Sequence, residues 1–350
     1  MVMSPNNLIL SVFVSVIVVV FLATVHAQKQ PIKGLTAMGI QYFRLGGKIE
    51  FPYMGELWAH PGVYSGAVIN VLWAQLEPQQ GSYDFSLIDG ALANITSYNE
   101  AFQGKGYPEV VAKLRVYAGQ SSPPWLFQLL GGPYTLSDQY AQPFNVTAFW
   151  SQGYLDLWQA LNTQLANKYD AMNSGIQQVS VSPCSSLTDE PFIRPLEGVE
   201  LEVLVPAGFN DTTYQHCLLT NFKGYSAWTN TVLDYPINLY QSIDAQPEVV
   251  YDYNFTTRVI TEFRAMYGSR AALGNHGLQP APLPSDLQPV FDDFLGFGPP
   301  ITFQTVGPTG NRSFTDATIA LGMLFFRRGY RVIFILFFFF VFFFFVSFGI

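Results

Sequence analysis

The run Ala67–Trp73, AVINVLW, constrains the fold more than any other stretch. It is short, rich in β-branched residues and without alternation, so the strand it forms is covered on both faces. Strands of that kind belong to parallel sheets, because the crossover helices that join parallel neighbours pack on the sheet faces. Val110–Tyr117 (VVAKLRVY) reads as a further strand and Ile176–Val181 as a short buried one. Between them lie helical stretches. One begins near Leu87, with Asp84 or Ser86 to cap it. The other runs over Thr147–Tyr169, where Phe149, Tyr154, Leu157, Leu161, Leu165 and Tyr169 recur at three- to four-residue steps.

The rhythm continues on both sides. Gly39–Phe43 is the expected first strand, followed by a Gly/Pro/aromatic loop over Leu45–Tyr64 that carries Glu56 and Trp58. After Ile176–Val181, the alternating Val199–Val205 reads as an extra strand in an insertion, and Thr212–Trp228 as a helix. Tyr235–Ile243 is the expected fifth strand, ending at Asp244. A helix over Thr256–Tyr267 stops at Gly268. Arg270–Gly274 makes a sixth strand, Asp286–Leu295 a helix, Pro300–Val306 a seventh strand, and Thr315–Gly322 opens another helix. Strand, loop and helix in repetition favour a parallel (β/α)8 barrel over a sandwich. In such a barrel the chemistry sits on loops after the strands' C-terminal ends.

The segment W-x-x-L-E-P-x-x-G-x-Y-D-F is filled by Trp73, Leu76, Glu77, Pro78, Gly81, Tyr83, Asp84 and Phe85. It resembles the second βα unit of β-galactosidase-type glycosidases, members of the large (β/α)8 clan of retaining glycoside hydrolases. The turn Ala118–Leu126, with Pro123, Pro124 and Trp125, is similar to theirs as well. The resemblance runs over about Gly39–Gly322 and implies a barrel that hydrolyses O-glycosidic bonds with two carboxylates. It makes Glu77 a loop brace. It places the acid/base glutamate after the fourth strand, where this chain has Glu190 in Asp189-Glu190-Pro191; the clan usually carries Asn where Asp189 stands.

Read on its own residues, Glu190 lies on a polar loop after Pro183, Cys184 and Ser185 and is stiffened by Pro191. A general acid would stand there, and a solvated carboxylate paired with Arg194 is the alternative. Asp189 beside it would favour the protonated form by like-charge repulsion. The resemblance puts the nucleophile at the end of the seventh strand, but Gln304, Thr305, Val306 and Gly307 stand there, and no Asp or Glu follows Asp316. Asp244 is the remaining candidate for the second catalytic carboxylate. Trp73, Trp125, His276 and Gln304 are candidate substrate contacts, with core packing or structural hydrogen bonding as the alternative for each. No Cys/His cluster, P-loop, G-x-S-x-G or strand-borne G-x-G-x-x-G is present, so neither metal nor cofactor is expected.

The ends of the chain address its location. Leu8–Leu22 is apolar, and Val25-His26-Ala27 offers a small-x-small cleavage site, so residues 1–27 read as a signal peptide, with an uncleaved anchor as the alternative. Sequons at Asn94-Ile95-Thr96, Asn145-Val146-Thr147, Asn210-Asp211-Thr212, Asn254-Phe255-Thr256 and Asn311-Arg312-Ser313 agree with export. Cys184 and Cys217 either pair or stay as buried thiols. The barrel domain is expected over 28–322. Residues 323–350 form a Phe-rich tail that looks unlike a closing βα unit. Val332–Ile350 is long enough for a bilayer helix or a lipid-anchor signal, although Arg327, Arg328 and Arg331 then lie on the exported side. The preferred expectation is that the barrel's last strand is missing, replaced by translated noncoding sequence after about Gly322.

A net charge of -8 argues against a nucleic-acid partner, and 16% aromatic residues suit neutral sugars. The expected protein is therefore a secreted or extracellular glycoside hydrolase, possible membrane contact coming only through the tail. The alternative is a catalytically inactive carbohydrate-binding barrel that keeps the aromatic cleft. Nothing in the sequence selects galactoside, glucoside, xyloside or uronide.

Overall fold

The structure, a computed structural model, describes residues 28–38, 53–137, 142–187, 190–191, 198–244, 250–278, 288–305 and 332–337. Parallel strands close into a barrel: β1 (Gly34–Met38), β2 (Tyr64–Leu72), β3 (Val111–Tyr117), β4 (Ile176–Ser180), β5 (Val232–Pro236), β6 (Ala271–Leu278), β7 (Ile301–Thr305) and β8 (Val332–Phe337). Each pairs with its chain neighbours, and β8 closes the ring onto β1, with Gly34 opposite Ile333 and Met38 opposite Phe337. Helices α1 (Tyr53–Ala59), α2 (Ser86–Phe102), α3 (Gln152–Tyr169), α4 (Asp211–Thr220), α5 (Tyr253–Tyr267) and α6 (Gln288–Phe297) lie between the strands in the chain. Antiparallel hairpins, Tyr134–Ser137 with Pro143–Val146 and Tyr240–Gln241 with Tyr251–Asp252, follow β3 and β5.

The eighth place in the ring is the instructive one. The sequence offers no ordinary closing unit, and the replacement comes from the Phe-rich stretch itself, beyond residue 322. The bilayer helix considered for Val332–Ile350 is not what its first residues form, because Val332–Phe337 is extended and paired on both sides. Residues 338–350 lie outside the described ones. Among the described residues no helix is long and apolar enough to cross a membrane.

Other elements shift for local reasons. The expected strand at Gly39–Phe43 and the helix opening at Thr315–Gly322 lie outside the described residues, and the ring's first strand is Gly34–Met38. Val199–Val205 is not a strand: Gly198–Leu204 is a helix. Leu201 and Leu204, one helical turn apart, are both buried, and that spacing overrides the apparent alternation. The fifth strand is Val232–Pro236, earlier than expected, and the Tyr240–Gln241 part of the anticipated run is a hairpin arm. Within the loop expected before β2, Tyr53–Ala59 is helical.

Packing follows the strand period. Outward-facing Ala67, Ile69 and Val71 of β2 and Ala112, Leu114 and Val116 of β3 join the main core between sheet and helices. There Trp73 stacks edge-on against Tyr154 and Trp158 of α3, with centroids 5.2 and 5.0 Å away. The inward faces are unusually polar. Lys113 and Arg115, two residues apart on β3, share the inside with Gln178 and Ser180 of β4, Asp234 of β5 and Thr302 and Gln304 of β7, all buried. Inside the ring Lys113 donates to Asp234 Oδ2 and the Thr302 hydroxyl to Asp234 Oδ1. Removing one member of a buried charge pair costs about 3–5 kcal/mol. Asp234→Ala should therefore lower the unfolding free energy by about that amount in urea titrations; a loss below about 1 kcal/mol would contradict the pairing.

Candidate active site

The motif Trp73–Phe85 folds around one carboxylate. Glu77 is 3% exposed and accepts from the Trp73 indole at 2.8 Å and from the Gly81 backbone N–H at 2.8 Å. Burial and the Glu77 carboxylate push the Tyr83 hydroxyl above its ordinary value. The Trp125 indole donates to the Glu77 carbonyl at 3.0 Å. This accounts for the spacing: Trp73 and Gly81 both bind Glu77, which braces the loop after β2. It also corrects one expectation. Trp73 has 0% exposure and its N–H is committed, so it packs the core and has no face to offer a sugar. Trp125 is half-buried beside that loop.

The loop after β4 is held from several sides. Ser182 N–H donates to the Tyr225 hydroxyl at 3.0 Å. Cys184 is joined to Cys217 of α4 by a disulfide, with 6.0 Å between their Cα atoms, which settles the open choice between pairing and free thiols. Gln120 binds the Ser186 carbonyl through its backbone and the Leu187 carbonyl through its side chain. Gly119, at φ +54°, passes so close that a Cβ there would lie 2.4 Å from the Ser185 and Ser186 carbonyl oxygens; only glycine fits. Tyr214 of α4 donates to the Pro191 carbonyl. A carboxylate on a loop fixed this way loses little further freedom on engaging a ligand.

That carboxylate is Glu190, 9% exposed. His276 Nδ1 lies 3.0 Å from its Oε1, and Asn238 Nδ2 reaches Oε2 at 3.5 Å. Asn238 is itself held by Asn275, whose amide donates to it at 3.1 Å and to the Ile237 carbonyl at 2.9 Å. His276 Nε2 lies 3.4 Å from Arg115 Nη2, which donates to Gln304 Oε1 at 2.9 Å. Arg115 Nη1 lies 3.1 Å from Met38 Sδ. The network therefore joins the C-terminal halves of β3, β6 and β7 to the loops that follow β4 and β5, the end of a barrel where chemistry is built.

Of the residues singled out from sequence, Glu190, His276 and Gln304 come together. Asp244 does not join them. It is exposed after the Tyr240–Gln241 arm and faces the start of α4, where its Oδ1 accepts from Asp211 N–H at 3.4 Å. Asp211 in turn accepts from Tyr240, Ser242 and Ile243, and those donors hold its carboxyl below the usual range against the opposing effect of burial. Asp189 and Arg194 lie outside the described residues. Arg115 and Asn238 carry much of the network and were missed. A signal for Arg115 is in the sequence: Lys113 and Arg115 stand two residues apart, on one face of an expected strand. Among the described residues no group of His, Cys, Asp and Glu could hold a metal ion.

No protein-family model matches the sequence, and no curated protein matches it. Among solved structures, the fold aligns with the catalytic domain of β-amylase from Paenibacillus polymyxa at a TM-score of 0.54 and 11% identity, over 88% of this chain and 92% of that one. An exo-β-1,4-mannosidase from Opitutaceae bacterium strain TAV5 aligns at 0.49 and 12% identity, over 89% of this chain and 54% of that one. A glycosylated endo-β-1,4-xylanase from Gloeophyllum trabeum aligns at 0.45 and 14%, over 89% and 86%. At such identities the likeness is one of fold, and the β-amylase alignment carries it: these neighbours are glycoside hydrolases built on TIM barrels.

Proposed function

We propose that this chain is a secreted glycoside hydrolase acting on oligo- or polysaccharides, with Glu190 as its general acid/base. The observation that carries the reading is the Glu190 carboxyl, nearly buried yet fixed by His276 and Asn238 at the C-terminal mouth of a closed parallel barrel. A proton donor to a glycosidic oxygen must be positioned before substrate arrives, and this one is. Export is supported by the apolar N-terminal run, by the Cys184–Cys217 disulfide and by the exposure of Asn94, Asn145 and Asn254, each the acceptor position of a sequon.

One observation favours a second reading, a barrel that binds carbohydrate without cleaving it. Two-carboxylate hydrolysis with retention needs a second carboxylate roughly 5–5.5 Å from the first. The seventh strand offers the Gln304 amide instead, held by Arg115. Among the described residues the carboxylate in this network is Glu190. Release of reducing ends from a panel of polysaccharides and aryl glycosides separates the readings. Turnover on at least one substrate is the expected result; saturable binding with no turnover on any member would replace hydrolysis by recognition.

A further inference from the structure

We propose that Arg115 is a positioning residue that acts through His276: it fixes the imidazole as the Nδ1–H tautomer and so aims a hydrogen-bond donor at Glu190. The kinetic part of this proposal rests on the hydrolase reading; the tautomer part does not.

The argument is one of donor inventory. A guanidinium is always charged and offers only donors. Arg115 Nη2 faces His276 Nε2 at 3.4 Å, so that nitrogen must present its lone pair. In a neutral imidazole the proton then resides on Nδ1, and which nitrogen carries it is set by the bond the other makes. Nδ1 lies 3.0 Å from Glu190 Oε1, an acceptor. The opposite tautomer would turn a lone pair toward the carboxylate and an N–H toward a cation, and both contacts would be repulsive. Arg115 is held for this task. It is 1% exposed, Nη2 also donates to Gln304 Oε1 at 2.9 Å, and Nη1 lies against Met38 Sδ. Gln304 thereby orients the guanidinium from β7, while His276 receives it from β6. A purely structural arginine would fill the same space without dictating where the imidazole proton sits.

The test is nitrogen NMR on the full chain labelled with 15N-histidine, at roughly pH 8 where an ordinary imidazole is neutral. The chain has only 4 His residues, and a His276→Gln spectrum assigns the signal. In the wild type, His276 should show a protonated Nδ1 and a pyridine-type Nε2. A protonated Nε2 overturns the proposal without any further variant. In Arg115→Met, the Nε2–H form should gain population, while an unchanged tautomer would also overturn it. If Arg115→Met does not fold, the wild-type spectrum decides alone. Where turnover is measurable, Arg115→Met should lower kcat about 10–100-fold with KM changed less than threefold, a smaller loss than deleting the acid itself. If the chain binds sugars without hydrolysing them, the tautomer result still stands or falls independently.

Discussion

A chain that stops at residue 331 should fail to form a cooperative barrel. The deletion removes β8 and leaves β1 and β7 with open edges along Gly34–Met38 and Ile301–Gln304, the stretches that β8 pairs. Backbone hydrogen bonds contribute about 0.5–1.5 kcal/mol each net, so losing both ladders costs about 5–10 kcal/mol. That is comparable to the whole stability of an ordinary domain. The inward-facing Lys113–Asp234–Thr302 group would also meet water through the gap, and unpaired parallel edges invite association between copies. Gel filtration and thermal unfolding should show aggregation and no sharp transition. A monomeric truncated chain that melts cooperatively near the full-length temperature would contradict the assignment of β8.

The middle of the barrel was legible because its elements are strongly periodic. Ala67–Trp73 declares a strand covered on both faces, Val110–Tyr117 a further strand, and Phe149 to Tyr169 a helix. Further along the chain the rules blur. Val199–Val205 alternates like a strand, yet Leu201 and Leu204 sit one turn apart and the helix wins. Val232–Pro236 lies entirely buried but carries Asp234, and a carboxylate in a strand looks wrong until Lys113 appears opposite it inside the ring. β8 was hidden for a different reason. Val332–Phe337 opens a nearly all-apolar run long enough to read as a bilayer segment, and pairing with β1 is a contact between the two ends of the fold that no local window reveals.

The site divides in the same way. Glu190 was found by its position after the fourth strand, and His276 and Gln304 by lying at strand ends. Residue type alone misplaced Trp73, since an indole suits a core as well as a sugar, and its bond to Glu77 decides for the core. Asp244 was chosen for being the remaining acid near a strand end, and its real neighbour is Asp211. The spatial relation of Arg115 to His276, 161 residues apart, follows from barrel closure and not from anything local.

Replacing Glu190 by Gln should separate chemistry from recognition. Gln keeps the shape, and its single oxygen can still accept from His276 Nδ1 while its NH2 takes the place of the oxygen that faces Asn238, so the loop held by Cys184–Cys217, Gln120 and Tyr214 should remain in place. What disappears is the transferable proton. General acid–base groups contribute about 10²–10⁴-fold, and that loss should fall on kcat with ligand affinity within about threefold of wild type. The most direct measurement is therefore kcat and oligosaccharide affinity for wild type and Glu190→Gln side by side, on whichever substrate the wild type turns over fastest. A kcat lowered at least about 100-fold at preserved affinity is the predicted result; a Glu190→Gln chain that hydrolyses at the wild-type rate would show that the chemistry lies elsewhere.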